Sequence, residues 1–346
     1  MQYLGFDIHK RYTFFTQMDA TGQVLRQGKL PNTRQALGDF FADVGEPAQV
    51  VLEATMNWYH LYDLLETLQI PVVLAHPMRT RAIAEAKVKT DKVDSTTLAH
   101  LLRSDLIPRA YIPPRAIRDL RELLRYRAAL VRLQTGVKNR VHSILLKHGY
   151  EAPVTDVFGT KGRRWLATLS LRAVYRDALA GLLAVLDVVQ QQIAAASRTI
   201  DDEAARSPAA QRLRTLPGIG PYSALLILAE IGDIMRFPDP KHLVSYAGLA
   251  PRVRASGGRT FIGHISRQGS AWLRWVLVEA AQHAARRPGR YQDLFRRIGA
   301  RKGRHIARVA VARALLTTIF WTLRHDETRQ GSGLPEARMV PGGPVN

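Results

Sequence analysis

The sequence predicts a mixed α/β domain at its N-terminus, followed by a longer and mainly helical region. Over the first hundred residues, short apolar segments alternate with turn signals and amphipathic stretches. From residue 116 onward, long stretches carry apolar residues at helical spacing. Charge divides the chain at the same place: residues 1–104 hold 11 basic and 11 acidic residues, whereas 105–346 hold 39 basic and 18 acidic.

The pattern of apolar residues in the N-terminal region predicts five strands and three helices. We expect strands at 2–8, 11–18, 24–30, 49–53 and 71–75, and helices at 33–44, 57–69 and 77–86. Thr21-Gly22 marks the turn between the second and third strands. Three strands of antiparallel type followed by alternating strand and helix predict a mixed sheet.

Prolines and composition divide the remainder. Pro108, Pro113 and Pro114 lie within 104–115, so we end the first domain at residue 104. Helices are expected at 116–148 and 172–206, forming either an antiparallel coiled-coil arm or an ordinary helical hairpin within segment 105–208. A mainly helical C-terminal domain follows at 209–326. The Gly/Pro-rich tail, 327–346, is predicted to be disordered.

Charge and composition narrow the class of protein. The chain carries 50 Lys and Arg against 29 Asp and Glu, a net charge of +21, which indicates a nucleic-acid partner. A stripe at helical spacing is formed by Arg118, Arg121, Arg125 and Arg132; it is either part of that surface or a solvated face. The absence of cysteine excludes thiol catalysis and zinc-thiolate sites. With no apolar run of about 20 residues and no signal-peptide pattern, we expect no membrane segment and a cytoplasmic protein.

Four carboxylates occupy positions typical of a metal site. Asp7 and Glu53 each end a predicted strand, and Asp91 and Asp94 are three residues apart where a helix begins near Thr90. An RNase H-like domain gathers carboxylates in this way, and such clusters bind Mg²⁺ or Mn²⁺ through oxygen ligands. Each acid alone would also fit a turn or a helix cap.

A glycine-containing turn precedes the predicted helix 221–231. In Leu-Pro-Gly218-Ile-Gly220, backbone N–H groups near a helix N-terminus could contact a phosphate, as in a helix-hairpin-helix element. A tight turn between helices is the alternative interpretation.

A serine lies in a basic, glycine-rich segment further on. Ser256 is flanked by Arg252, Arg254 and Arg259, and no acidic residue occurs from 241 to 278. Guanidinium groups could orient a phosphate beside an activated serine hydroxyl. The alternative is a passive loop serine among phosphate-binding arginines; Ser245, Ser266 and Ser270 are weaker candidates for a nucleophile.

Taken together and in order, these motifs resemble one family. Gly-Phe-Asp7-Ile-His-Lys, Leu-Glu53-Ala-Thr, Lys-Thr-Asp91-Lys-Val-Asp94, Leu-Pro-Gly-Ile-Gly and Tyr-Ala-Gly-Leu-Ala-Pro…Ala-Ser256-Gly-Gly resemble the IS110/IS1111 insertion-sequence transposases, from about residue 2 to 325. Ser95 departs from the small apolar residue expected after Asp94. We assign no role to the His9-Lys10 pair.

The resemblance implies an α/β plus α architecture and a recombination reaction. It implies a RuvC-like N-terminal domain whose Asp7, Glu53, Asp91 and Asp94 bind Mg²⁺ (or Mn²⁺), a coiled-coil arm, and a helical transposase domain in which Ser256 forms a phosphoserine link with DNA. It also implies donor and target DNA as substrates, an element-encoded guide RNA (a bridge or seek RNA), dimers or tetramers, and action at the bacterial nucleoid.

Two other functions fit parts of the sequence. A RuvC-type structure-specific endonuclease would use water as its nucleophile and leave Ser256 passive. A non-catalytic nucleic-acid-binding protein would show tight, salt-sensitive binding and no metal-dependent reaction. The complete acidic set of the chain argues against the non-catalytic interpretation.

Overall fold

A computed structural model describes residues 1–44, 47–55, 58–84, 90–256 and 259–330 of the chain. The chain forms two compact units, Met1–Ile112 and Pro113–Asn346. The first is a mixed α/β unit and the second is mainly helical, which confirms the predicted fold class at this level.

The first unit is organised around a five-stranded mixed sheet. Its strands are β1 (Gln2–Ile8), β2 (Tyr12–Met18), β3 (Val24–Pro31), β4 (Ala48–Glu53) and β5 (Val72–Ala75), in the spatial order β3-β2-β1-β4-β5. β1, β2 and β3 pair antiparallel, whereas β4 pairs parallel with both β1 and β5. The strand pattern predicted from the sequence is therefore confirmed.

Helices cover both faces of this sheet. α1 (Arg34–Val44) and α2 (Trp58–Thr67) enclose one apolar core, which includes Leu37, Leu61 and Leu65. On the other face α4 (Asp91–Arg103) packs Leu98, Leu101 and Leu102 against strands β4 and β5. The short helix α3 (Pro77–Ile83) follows β5. The sheet is thus the middle of three layers, an arrangement consistent with a RuvC-like domain.

The segment after α4 remains part of the first unit. Ile107 is buried in the core beneath α4, and the N–H of Ala110 donates to the carbonyl of Leu74 at 2.6 Å. Arg109 forms an isolated antiparallel bridge with Ala75. The structure therefore places residues 105–112 with the sheet domain, because they extend along the edge strand β5.

The second unit consists of nine helices of α type among the described residues and one β-hairpin. They are α5 (Arg115–Lys147), α6 (Thr160–Ala167), α7 (Ala173–Arg206), α8 (Pro208–Arg214), α9 (Pro221–Ile231), α10 (Pro240–Tyr246), β6 (Pro251–Ser256), β7 (Arg259–Ile265), α11 (Ala271–Ala284), α12 (Arg290–Lys302) and α13 (Arg304–Gln330). A 3₁₀ turn, Ile234–Arg236, lies between α9 and α10.

Helices α5 and α7 lie antiparallel to each other. Near one end, Arg127 of α5 donates to Ser197 of α7 at 3.0 Å. At the other end Val141 and Leu179 share a small core with α6. Leu124 and Ile200 are also buried in the main C-terminal core, so the base of the predicted arm shares that core with the helices that follow it.

Helices α7 and α13 are long and apolar. By length and composition, Ala173–Arg206 and Arg304–His325 could each cross a membrane, and 17% and 44% of their apolar windows are buried within the unit. Helix α13 continues to Gln330, so 327–330 are helical where we predicted disorder; the first helix breaker, Gly331, comes later. The rest of the predicted tail lies outside the described residues.

Candidate metal centre and serine hairpin

Two of the predicted acidic residues follow neighbouring parallel strands. Phe6 of β1 is paired with Leu52 of β4, and both side chains are fully buried on the α1–α2 face of the sheet. Because side chains alternate between faces, Asp7 and Glu53 point toward the opposite face, the one that α4 covers. The parallel register therefore places Asp7 and Glu53 side by side at one edge.

Helix α4 brings the other two acidic residues to the same edge. Thr90 caps the helix by accepting a hydrogen bond from the N–H of Val93 at 3.2 Å, and Asp91 and Asp94 lie in the first turn. The helix lies directly on β1: a Cβ added to Gly5 would be 2.0 Å from the carbonyl oxygen of Ser95. Only glycine allows this close approach.

Asp7, His9 and Asp91 form a compact cluster with one ligand atom each within 4.8 Å of the others. His9 Nε2 lies 3.3 Å from Asp7 Oδ2 and 3.1 Å from Asp91 Oδ2, although neither contact has hydrogen-bond geometry. Tyr12 stacks on the His9 ring at 4.7 Å and donates to Asp91 Oδ2 at 3.3 Å. His9, to which the sequence pattern assigns no role, thus lies between two acidic groups.

Electrostatics at Asp7 favour a cation. Burial raises the pKa of Asp7, and the charges of Asp94 and Asp91 raise it further, while His9 opposes the rise. The charge of Asp94 thus acts on Asp7 as well, which connects both acidic residues of α4 to the strand-borne carboxylate. A divalent cation would offset this repulsion.

The donor atoms suit a hard divalent metal. Carboxylate oxygens from β1, β4 and α4 are the ligands that Mg²⁺ and Mn²⁺ prefer, and the groups are only partly buried, so water could complete the coordination. The cluster of Asp7, His9 and Asp91 therefore fits a divalent metal, and Glu53 lies on the strand paired with β1 and Asp94 on helix α4.

A buried polar cluster behind the metal centre fixes α4 on the sheet. The Ser95 hydroxyl is fully buried and shares a 2.7 Å hydrogen bond with Thr16 of β2. Thr96 and Gln27 join the same network, since Gln27 donates to Thr96 at 2.8 Å. Ser95, the departure from the family pattern noted above, is thus a hydrogen-bonded contact between helix and sheet.

Ser256 lies at the end of β6 in the hairpin of the second unit. Arg259 of β7 pairs directly opposite it, and Arg254 pairs with Phe261. Residues two apart on one strand and residues directly opposite each other share a face, so Ser256, Arg254, Arg259 and Phe261 lie on the same face. All four are exposed. The connecting residues, 257 and 258, lie outside the described residues.

Arg252 differs from the other two arginines of the hairpin. It lies at an irregularity in the strand pairing between Pro251 and Val253, and it donates to the backbone carbonyl of Ser266 at 3.2 Å. Its guanidinium therefore contacts the base of the hairpin, whereas Arg254 and Arg259 are on the face that carries Ser256.

The predicted helix-hairpin-helix element is a tight turn between α8 and α9. Gly218 has φ of +84°, and a Cβ there would lie 2.3 Å from the carbonyl oxygen of Ala280 in α11, so packing by itself requires this glycine. The N–H of Gly220 donates to Ser223 Oγ at 2.8 Å. The turn borders a cleft of about 320 Å³ that Arg214 and Arg287 also line.

The arginine stripe of α5 is only partly a surface. Arg118 and Arg121 are 4% and 9% exposed, and Arg121 donates to the carbonyl of Ala229 at 2.8 Å. Arg125 pairs with the buried Glu230 at 2.9 Å. The interpretation of the whole stripe as an exposed basic face was therefore wrong, because Arg118 and Arg121 are buried and Arg121 and Arg125 contact α9.

Comparisons with known proteins agree with this geometry. The model of the DEDD transposase domain of IS110 matches residues 4–149, the segment that holds the whole acidic set. The model of the IS116/IS110/IS902 transposase family matches residues 210–296, which include the serine hairpin. The chain belongs to the IS110 family of transposases.

Relatives of this IS110-family transposase come from several bacteria. The transposase for insertion sequence IS1111A of Coxiella burnetii is 24% identical over 94% of the chain and 90% of its own length. The transposase for IS1328 of Yersinia enterocolitica is 27% identical over 81% of the chain and 82% of its own length. The protein y4qE of Sinorhizobium fredii is 28% identical over 66% of the chain and 56% of its own length. The family assignment makes the chain a DNA transposase with DNA as its class of substrate.

The predicted site residues of the transposase thus lie in two groups, one in each unit. Asp7 and Asp91 meet in one cluster with His9, Asp94 acts on Asp7 through its charge, and Glu53 occupies the strand position beside Asp7. Ser256 and its arginines belong to the hairpin of the other unit. A signal for His9 existed in the sequence: it follows Asp7 by two residues, immediately after the end of β1.

Proposed function

We propose that this transposase cuts and rejoins DNA through a covalent link between Ser256 and a DNA phosphate. The Ser256 Oγ–P bond forms as one P–O bond of the DNA backbone breaks; the serine loses its proton, and the released DNA hydroxyl gains one. Attack by a hydroxyl of another strand reverses the step and frees the serine. Because the number of phosphate ester bonds is unchanged, rejoining needs no external energy source.

Asp7, Glu53, Asp91 and Asp94 would hold Mg²⁺ or Mn²⁺. When bound, such an ion supplies charge stabilisation for the phosphate and for an activated hydroxyl. The observation that carries the proposal is the acidic cluster of Asp7, His9 and Asp91 at the sheet edge, within a segment that matches a DEDD transposase model. His9 lies between the two carboxylates, with its Nε2 3.3 Å from Asp7 and 3.1 Å from Asp91.

Arginines next to Ser256 would position the scissile phosphate. Arg259, directly opposite Ser256, and Arg254, two residues earlier on the same strand, share its face. Neither of these exposed guanidiniums has a carboxylate partner in the part of the chain that the structure describes, so both are available for a phosphate. Phosphate contacts by Arg252 and by the Gly218–Gly220 turn, beside Arg214 and Arg287, are part of the same proposal.

Self-association and RNA guidance complete the proposed function. Helix α7 exposes apolar side chains along its length, including Val174 and Val188 at 76% and 57% exposure, which supports pairing of the α5–α7 arms in a dimer or tetramer. The metal centre and Ser256 would then act together within one subunit or between two. We extend to this chain an element-encoded guide RNA, which pairs with donor and target DNA in the bacterial cytoplasm; the large positive charge is compatible with that RNA.

The test is a covalent-trapping assay. Protein, Mg²⁺, labelled element-junction DNA and the element's non-coding RNA are combined and separated under denaturing conditions. Ser256→Ala and Asp7→Ala are compared with the wild type, and Ser266→Ala is the matched control because Ser266 lies at the base of the same hairpin. We expect a labelled protein–DNA adduct with wild type and Ser266→Ala, and none with Ser256→Ala.

Cleavage without an adduct would favour the endonuclease instead. If Ser256→Ala cuts DNA as fast as the wild type and no labelled protein forms, water is the nucleophile and the serine proposal fails. If Asp7→Ala retains full activity, the acidic cluster has no part in the reaction.

A further inference from the structure

Three aromatic rings form a continuous patch on the second unit, apart from the serine hairpin. Tyr222 lies in the first turn of α9, and Trp272 and Trp275 lie in the first half of α11. The Trp272 and Trp275 ring centroids are 5.9 Å apart, and those of Tyr222 and Trp275 are 6.4 Å apart. Tyr222 donates its hydroxyl hydrogen to the carbonyl of Leu124 at 3.2 Å, which fixes this ring against α5.

Guanidinium groups of α5 stack on two of these rings. Arg127 lies 4.6 Å from the Tyr222 centroid and Arg132 lies 5.1 Å from that of Trp272. Burial raises the pKa of Tyr222, whereas the charges of Arg127 and Arg132 act against that rise, so both cations lie near the phenol. Among the described residues no carboxylate is within ion-pair distance of either arginine, in contrast to Arg125.

The third ring is the open one. Trp275 is 44% exposed, and within the described part of the chain no guanidinium covers it. Its two neighbouring rings carry Arg127 and Arg132. An exposed indole beside such cations is unusual for a surface that serves only packing, because the indole is apolar and the like charges repel one another. The combination matches the chemistry of single-stranded nucleic acid, in which a base stacks on the ring and the flanking phosphates meet the cations.

We propose that Tyr222, Trp272 and Trp275 form a stacking platform for an unpaired base of the DNA substrate, with Trp275 as the contact ring and Arg127 and Arg132 as phosphate contacts. Positive charge selects a polyanion over a protein partner of mixed charge. The exposed ring selects an unpaired base, because bases in a duplex are already stacked on each other. Strand exchange requires DNA to lose pairing locally, so the enzyme encounters such bases during its reaction.

The experiment measures binding of the full-length protein to fluorescent DNA in EDTA, so that its outcome is independent of cleavage at Ser256. Probes are a 20-nucleotide single-stranded DNA, the blunt duplex of the same sequence, and single-stranded RNA of that sequence. Variants are Trp275→Ala, Trp275→Phe and Arg132→Ala. Trp321→Ala is the matched control, since Trp321 of α13 is 48% exposed and outside the platform.

Substitution of the ring and substitution of the cation should change DNA binding in different ways. Trp275→Ala should weaken single-stranded DNA binding by about 5- to 150-fold, the effect of losing one stacked base, with the salt dependence unchanged. Trp275→Phe should recover part of the loss. Arg132→Ala should lower the slope of log K against log salt by about 0.7, the value for one phosphate of a single strand.

Several outcomes would overturn the platform. Equal single-stranded DNA affinity for Trp275→Ala and Trp321→Ala would do so. Equal losses on duplex and single strand would assign Trp275 to general folding or charge, and a loss confined to RNA would assign the patch to a different nucleic acid. Circular dichroism and the melting temperature of each variant show whether it is folded; if Trp275→Ala is not, Trp275→Phe and Arg132→Ala must give the two expected signatures for the proposal to stand.

Discussion

Substitution of Gly5 by alanine tests how the metal centre is assembled. The added Cβ would lie 2.0 Å from the carbonyl oxygen of Ser95 and 2.6 Å from the backbone nitrogen of Ala99. Ordinary contact begins near 3.4 Å, so α4 must withdraw from β1 by roughly 1.4 Å, the shortfall in the shorter distance. Both obstructing atoms belong to the helix backbone, so no side-chain rotation can relieve the overlap.

Withdrawal of α4 separates the two halves of the acidic cluster. Asp91 and Asp94 move with the helix, whereas Asp7 stays on the strand. Overpacking of this kind costs about 1–3 kcal/mol of folding stability. Misplacement of reacting or ligating groups by about 1 Å lowers activity by about 100-fold. We therefore expect Gly5→Ala to remain folded, with a lower melting temperature, and to lose most of its affinity for Mn²⁺ and most of its DNA cleavage.

The measurements are Mn²⁺ titration by calorimetry and the rate of DNA cleavage. Gly38→Ala is the matched control, since a Cβ at that position in α1 meets nothing within 4 Å and alanine is the better helix former. If Gly5→Ala binds Mn²⁺ and cuts DNA as the wild type does while Gly38→Ala is neutral, the contact between α4 and β1 does not set the site geometry.

Three further predictions concern charge and hydrogen bonding. The pKa of Asp7 is raised by burial and by nearby acids, so ionisation of Asp7 lowers the folding stability as the pH rises through that raised value. At pH 7, metal-free Asp7→Asn should therefore melt at a higher temperature than the wild type, and Mg²⁺ should not stabilise it further. A lower melting temperature for Asp7→Asn would contradict this. Glu230→Gln removes the charge with which the buried Glu230 binds the partly exposed Arg125 and should cost about 1–3 kcal/mol in urea unfolding, the range for a hydrogen bond to a charged group; a change below about 0.5 kcal/mol would refute it. Ser95→Ala removes the hydrogen bond to Thr16 and should lower the free energy of unfolding by about 1 kcal/mol while DNA cleavage is retained. Urea unfolding and the rate of DNA cleavage check the two parts.

Much of the first unit could be predicted because its signals are local. Alternation of apolar residues gave the five strands, and Thr90 followed by an i, i+3 pair of aspartates gave the start of α4. Parallel pairing of two strands that end in acids then brings Asp7 and Glu53 together. The sequence order of these acids was therefore sufficient to predict that acidic groups of β1 and α4 meet at one edge of the sheet; the metal they would bind stays a prediction.

The features that could not be predicted depend on contacts between distant segments. Helical spacing put Arg118 and Arg121 in one stripe with Arg132 but could not show that the first two are buried, or that Arg121 meets α9, about 110 residues away in the chain. Tyr222 and Trp275 are likewise apolar helix residues until α9 and α11 are packed side by side. Spacing identifies one face of a helix, whereas the partner of that face is decided by tertiary packing.

The serine hairpin has a thermodynamic consequence. A two-stranded hairpin by itself is marginal in water. Within the part of the chain that the structure describes, β6 and β7 form a sheet of two strands, and they expose Val253 and Phe261 at 59% and 65%. The conformational entropy lost when Ser256 is held in one geometry must therefore be recovered from whatever covers those apolar side chains and the arginines. If Ser256 is the nucleophile that we propose, the substrate or second subunit that covers these side chains would also fix the serine for attack, and cleavage would be confined to DNA that orders the hairpin.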